Sequence, residues 1–211
     1  MEIICLEKDF VVCLKPAGVL STDEPGGLPE LVRAELGDAK ADIRTVHRLD
    51  RVVGGLMVLA RNAKTASELS KQMRAGTFEK KYRAVVHGKA DDEGQMVDLM
   101  YRDMRRRISR VTDTPGKGVQ EAILNYKTLG RCDDMSLVEI ELITGRTHQI
   151  RCQFSSRNMP LLGERKYSER EDGCPMALWS CYLAFEDMKG VMRTFSAPPP
   201  QIFPWDKFET E

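Results

Sequence analysis

The sequence lacks any apolar run approaching the ~18 residues that a membrane-spanning helix needs. Its opening, Met1-Glu2-Ile3-Ile4-Cys5-Leu6-Glu7, lacks the basic start and apolar stretch of a secretory signal. Together these absences predict a cytoplasmic chain that does not associate with membranes. There is no surplus of either charge: 32 Lys and Arg stand against 32 Asp and Glu, so any attraction to a polyanion must be local. No CxxC pair or close Cys/His grouping occurs among the six cysteines, at positions 5, 13, 132, 152, 174 and 181. That argues against a zinc site, and a chain without a signal points to reduced, mostly buried thiols rather than a disulfide framework. No GxSxG or HExxH motif of the common hydrolases is found. What is there is 42% apolar and 30% charged residues in 211, enough to bury a sizeable core. That length predicts one compact domain over residues 1–211.

Along the chain, Ile3 to Leu6 and Phe10 to Leu14 read as short strands ended by the turn Lys15-Pro16-Ala17-Gly18. A loop rich in acids, Gly and Pro leads to a short helix from Leu28 to Leu36, with Pro29 in its first turn. Gly55 to Ala60 is apolar enough for a buried strand. From Asn62 a helix is predicted: Asn62 caps it, Ala66, Leu69 and Met73 keep a three-to-four spacing, and Gly76 closes it. Phe78 to His87 returns to a strand. Gly88 to Gly118 is polar and arginine-rich with little periodicity, which predicts an extended loop or a poorly packed hairpin suited to gripping a substrate. Strands follow near Glu121 to Leu129 and Ser136 to Ile143, then a turn into a short helix at Thr144 to Arg151, then strands at Met176 to Phe185 and Val191 to Phe195. Many strands, few helices and no regular strand-helix repeat predict an α+β fold with a mixed, largely antiparallel sheet flanked by helices and loops.

The run His47-Arg48-Leu49-Asp50-Arg51-Val52-Val53-Gly54-Gly55 places one carboxylate between two arginines, just before glycines and a buried strand. A loop there could present Asp50 at a cleft. Taken alone, an aspartate between arginines is more often a surface ion pair.

Three further motifs change those odds. Lys15-Pro16-Ala17-Gly18 follows a strand, Lys81-Tyr82-Arg83-Ala84 precedes Gly88, and Thr144-Gly145-Arg146-Thr147-His148-Gln149-Ile150-Arg151 precedes Pro160-Leu161-Leu162-Gly163 and Tyr167. In this order, with His47-Arg48-Leu49-Asp50 between the first and second, they resemble the motifs of the RluA-type RNA pseudouridine synthases over roughly residues 3 to 195. Three positions depart from the family's usual pattern. Val53-Gly54 replaces a Thr-Ser or Thr-Thr pair, Cys152-Gln153 replaces Val-His, and Glu164 replaces Asp.

The resemblance implies an isomerase that turns a uridine within ribosomal or transfer RNA into pseudouridine, with no cofactor and no metal. Asp50 is implied as the nucleophile, though it could equally act as a base on the sugar. A carboxylate kept ionised away from water needs a fixed cation, and by resemblance that cation is Arg151, whose planar fork suits the role. Tyr82 is implied to stack on the uracil; without the motif it reads equally well as an inward strand aromatic. Ile150 is implied at the other ring face, a position any core would also fill with an apolar residue. The target base must leave its stack, and Arg48 is the implied filler of the gap, or else a solvated partner of an acid. His47 is expected to orient the loop rather than to act as a base. His148 and Arg146 are expected to fix the turn of the third motif.

Charge supplies a separate pointer. Arg102, Arg105, Arg106, Arg107 and Arg110 face a single acid, Asp103, in that stretch, so Arg105, Arg106 and Arg107 are candidates for holding phosphates. An ordinary solvated loop is the alternative. The acids between Asp23 and Asp42, and Asp206, Glu209 and Glu211, are expected to lie away from RNA. No separate small RNA-binding domain is expected before the first strand, so the catalytic domain is expected to find its RNA unaided or with a partner; the expected state is a monomer with no obligatory protein partner. Two rivals remain open. A binding-only protein with an altered Val53-Gly54 loop would not need Asp50, Tyr82 and Arg151 together, and a hydrolase using Asp50 as base would release uracil or cut the strand.

Overall fold

The computed structural model describes residues 1–208, so Glu209 and Glu211 lie outside the described residues. The backbone divides into two compact units, residues 1–80 with 179–199, and residues 81–178 with 200–208.

In the first unit, β1 (Glu2–Leu6) pairs antiparallel with β2 (Phe10–Lys15), and β2 with β4 (Gly54–Ala60). A two-residue β3 (Arg44–Thr45) joins the end of β4. β4 then pairs in parallel with β10 (Leu178–Glu186), and β10 antiparallel with β11 (Met192–Ser196). All seven residues of β4 are buried, which its uninterrupted apolar run requires of a strand covered on both faces. Two helices flank these strands, α1 (Leu28–Glu35), with Pro29 near its start, and α2 (Ala63–Ala75). The ends of α2 are those its sequence predicts. The Asn62 side chain accepts the Thr65 N–H at 2.8 Å, and Gly76 takes φ 74°, the left-handed closure that glycine adopts without a Cβ penalty. Its Leu69 packs with Phe10, Val12, Leu56, Val58, Phe78, Leu183 and Phe185 in one core. Phe185 stacks on Phe78 at 5.5 Å and meets Phe10 edge-on at 5.2 Å.

In the second unit every strand pairing is antiparallel. The order is β5 (Glu79–His87), β9 (Met135–Leu142), β8 (Val119–Cys132), β6 (Glu93–Asp103), β7 (Ile108–Thr112). The helix α3 (Gln149–Ser156) buries Ile150, Cys152 and Phe154. The architecture is thus α+β, its sheet mixed, with a parallel pairing of β4 with β10 beside the antiparallel pairings within each unit.

Residues 88–118 take the hairpin of the two expected forms, but a regular one rather than a poorly packed one. They form two regular strands, β6 and β7, with β6 laddered to β8. Met96 and Met100 face inward on β6, and Asp98 shares their face. That carboxylate hides the apolar alternation from a sequence reading, yet it is satisfied there by Gln153 Nε2 at 2.7 Å and by both Arg157 terminal nitrogens at 2.9 and 3.1 Å. Among the described residues no helix is long and apolar enough to cross a membrane.

Candidate active site

Two turns of the first unit converge under Asp50. The buried Leu49 is gripped on both backbone groups by Ser21, whose Oγ accepts the Leu49 N–H at 3.1 Å and donates to the Leu49 carbonyl at 2.8 Å. Asp50 follows, half-buried, and its carbonyl accepts the Val53 N–H at 3.0 Å to close the turn. Beyond it the Arg51 carbonyl accepts the Gly18 N–H at 2.7 Å, while Arg51 Nε donates back to the Gly18 carbonyl at 2.8 Å. The Lys15-Pro16-Ala17-Gly18 turn is therefore stitched to the Asp50 loop.

Lys15 completes the stitch. Its side chain is fully buried, and Nζ donates to the carbonyls of Pro16 (2.9 Å), Val19 (2.8 Å) and Arg51 (3.3 Å). An ammonium has three protons and no acceptor, so three carbonyls from two turns satisfy it. Burial pushes this ammonium down to about 8, opposed by the charge of Asp50. The sequence marks Lys15 as part of a turn but gives no sign of this role.

His47 is buried, and its Nε2 accepts the Val58 N–H of β4 at 3.1 Å, so the ring ties the loop to the strand. Burial, with Lys80 adding to it, holds His47 down to about 3. It is neutral at any physiological pH, which leaves it a positioning group. Arg48 is exposed.

Val53-Gly54, the departure from the family pattern, has a local cause. A Cβ on Gly54 would stand 2.6 Å from the ring of Trp179, which pairs with Gly54 across β4 and β10 and donates its indole N–H to the Ala197 carbonyl at 3.0 Å. On Gly55, at φ 115°, a Cβ would strike the Ser180 backbone at 2.3 Å. A bulky ring therefore fills the space that a larger residue at position 54 would need.

In the second unit Tyr82 lies on β5, buried, opposite Ile140 of β9. Arg151 stands in the first turn of α3, preceded by the buried Ile150. His148 begins the helix at φ 55° without a side-chain cap. Gln149 ties the turn that precedes the helix: its Oε1 accepts the Arg146 N–H and the Thr144 hydroxyl, each at 2.9 Å, and its Nε2 donates to the Ile123 carbonyl at 3.0 Å. Arg146 Nε binds the Glu121 carbonyl at 2.8 Å. The turn is thus held by Arg146 and Gln149, with His148 bonding outward to Tyr167.

Arg151 is only 4% exposed and is gripped side-on by Glu164, which is 0% exposed: Nε to Oε2 at 2.6 Å and Nη2 to Oε1 at 2.8 Å. The same Oε1 accepts the backbone N–H of Lys166 at 2.7 Å and of Tyr167 at 3.3 Å. Burial pushes the Glu164 carboxyl up, but the bonds and charge of Arg151, joined by those two N–H groups, outweigh it and hold the carboxyl below its ordinary value. Arg151 Cζ also lies 5.5 Å from the centre of the Tyr167 ring. The sequence reading noted Glu164 only as a departure and missed its part as the partner that fixes the Arg151 fork. An acid a few residues beyond the third motif was the available signal.

Arg105, Arg106 and Arg107 occupy the exposed turn between β6 and β7, where the Asp103 carboxylate accepts the Arg106 N–H at 2.9 Å. Arg107 itself takes φ 54°. This is charge on a structured tip rather than on a free loop. His87, which the sequence left unassigned, bonds through Nε2 to Asp172 at 2.8 Å. Among the described residues no group of three or more His, Cys, Asp or Glu side chains is placed to hold a metal ion.

Residues 9–156 match the family model described as RNA pseudouridylate synthase. An uncharacterized RNA pseudouridine synthase, YlyB of Bacillus subtilis, is 33% identical over 214 aligned residues, covering 95% of this chain and 70% of that protein. Ribosomal large subunit pseudouridine synthase D of Zymomonas mobilis is 30% identical over 88% of this chain and 61% of its own length. The chain thus spans roughly two thirds of these relatives. Among solved structures, Human RNA Pseudouridylate Synthase Domain Containing 1 superposes with a TM-score of 0.83 at 22% identity, covering 95% of this chain and 84% of that one. At that identity the likeness is one of fold.

Proposed function

This chain belongs to the RNA pseudouridylate synthase family, and on that premise we propose that it isomerises uridine to pseudouridine in structured ribosomal or transfer RNA, in the cytoplasm and without an obligatory protein partner. The reaction breaks the bond from ribose to a ring nitrogen, turns the uracil, and joins ribose to carbon 5. Carbon 5 gives up a proton and the vacated nitrogen gains one, so nothing is oxidised or hydrolysed. Asp50 acts on the ribose, as nucleophile or as base. Arg151 supplies the fixed cation, Tyr82 and Ile150 contact the uracil, and Arg48 fills the gap left by the flipped base. His47 and Lys15 hold the Asp50 loop, and Arg105, Arg106 and Arg107 bind phosphates.

The observation that carries this reading is that the family match takes in Asp50, Tyr82 and Arg151 together, on a loop, a strand and a helix each locked by buried bonds. The ribosomal substrate of the Zymomonas mobilis relative, as its name states it, favours ribosomal RNA as the first substrate to try. The test uses RNA from cells lacking this protein, labelled with tritium at carbon 5 of uracil. Purified protein should release tritium to water and leave the strand intact. Released free uracil or cut RNA would favour the hydrolase reading instead, and binding without tritium release the binding-only one.

A further inference from the structure

Ser109 is buried near the start of β7, between the arginine turn at 105–107 and Arg110. All of its polar groups are engaged within the second unit. Its N–H donates to the Tyr167 hydroxyl at 2.7 Å, its Oγ donates to the Thr147 carbonyl at 2.6 Å, and its carbonyl accepts the Cys152 thiol at 3.4 Å. The Tyr167 hydroxyl, having accepted from Ser109, stands 2.7 Å from His148 Nδ1 and can pass its one proton there. Its ring lies beneath the Arg151 guanidinium and packs against Met100, Ala122 and Cys152. One residue earlier, Lys166 Nζ reaches the Arg107 carbonyl at 3.5 Å. Three residues earlier stands Glu164, the partner of Arg151.

From this geometry we propose that Tyr167 is a positioning residue that sets the arginine-bearing β6–β7 hairpin and the Arg151 guanidinium in one register, its hydroxyl fixing the hairpin and its ring fixing the arginine. The proposal rests on the reading of Arg105, Arg106 and Arg107 as phosphate ligands given above. A two-stranded ribbon projecting from a sheet keeps its own ladder but does not by itself fix the direction of its tip. The bonds at Ser109 and Arg107 do so here. Preset arginines meet phosphates without first losing freedom, whereas an unfastened hairpin must be ordered as the RNA binds.

Tyr167→Phe keeps the ring and removes the hydroxyl. It should weaken binding of a fluorescein-labelled RNA stem-loop about tenfold, because the unfastened hairpin leaves roughly one phosphate contact unmade. The slope of log affinity against log salt should fall toward that of the Arg105→Ala, Arg106→Ala, Arg107→Ala triple variant. With RNA saturating, kcat should stay within about twofold of wild type because the ring still faces Arg151. Tyr167→Leu, lacking ring and hydroxyl, should lose affinity alike and also lose kcat by roughly fivefold to thirtyfold. Should Tyr167→Leu fail to fold, Tyr167→Phe decides alone, with its melting temperature as the control. An affinity and salt slope equal to wild type in Tyr167→Phe, or a loss confined to kcat, overturns the positioning role. If the triple variant itself keeps the wild-type slope, the fault lies in assigning the hairpin to RNA, and the proposal falls with it. A changed triple slope beside an unchanged Tyr167→Phe slope sinks the positioning role alone.

Discussion

Glu164→Gln replaces a buried carboxylate by an amide of nearly the same shape. Wild-type Glu164 offers two anionic oxygens to four N–H donors: Arg151 Nε and Nη2, and the backbones of Lys166 and Tyr167. Glutamine leaves one oxygen for all four and turns an NH2 toward a guanidinium that is only 4% exposed. Removing one partner of a buried pair costs about 3 to 5 kcal/mol, because the buried charge left behind loses its bidentate partner. For a chain of this size that corresponds to a melting temperature lower by about 6 to 20 °C. Arg151→Met strands the opposite charge and should cost a similar amount. The double variant should lose much less than the two single losses added, since both charges of this pair are gone. The pH dependence has a definite sign. The folded Glu164 carboxyl lies below its ordinary 4.5, so its contribution is present above 4.5 and is lost as pH falls through the lower folded value. Glu164→Gln should lack that acid loss, and the two melting curves should approach one another in acid. Calorimetry on the four proteins across pH is the assay. A Glu164→Gln protein melting within about 2 °C of wild type at neutral pH, or additive losses in the double variant, would refute the reasoning.

Changing Arg105, Arg106 and Arg107 together to Ala should lower the slope of log affinity against log salt by roughly 2 to 3 units, measured by RNA binding over a salt series; single-turnover chemistry at saturating RNA should change little. His47 stays neutral in the folded chain down to about 3, whereas the unfolded chain takes up a proton below 6.5. Stability should therefore fall as pH drops from 6.5 toward 3, by up to about 1.4 kcal/mol per unit, and urea melts of His47→Gln should lack that component. Gly54→Ser should be destabilised through the Trp179 ring 2.6 Å from its new Cβ, and Trp179→Leu should relieve it. A double variant no more stable than Gly54→Ser alone would show that the ring is not the obstacle.

The helix α2 was legible because Asn62, Leu69, Met73 and Gly76 are local signals that agree with one another. β4 was legible because an uninterrupted apolar run has few other resting places. The regular packing of the β6–β7 hairpin was not legible because Asp98 interrupts the inward face. Its partners, Gln153 and Arg157, come from α3 and the residue after it, far along the chain. The same distance in sequence hid the reason for Gly54, which is Trp179, and the Arg51 carbonyl that joins Pro16 and Val19 under Lys15. At the site, the motifs nominated Asp50, Tyr82 and Arg151 because side chains with chemistry are written directly in sequence. The groups that hold Asp50 and Arg151, Ser21 beneath Leu49 and Glu164 beside the guanidinium, bond through geometry that only folding creates.

The central claim is that Asp50 carries pseudouridine formation, and mapping pseudouridine in total RNA tests it most directly, in cells holding the wild-type gene, no gene, or Asp50→Asn. The amide is nearly isosteric with the carboxylate but is a poor nucleophile and a poor base. One or a few positions should carry pseudouridine in wild-type cells and uridine in both other strains, with the Asp50→Asn protein folded and present at its usual level. Pseudouridine at those positions in the Asp50→Asn strain, or no position that depends on the gene, would contradict the account.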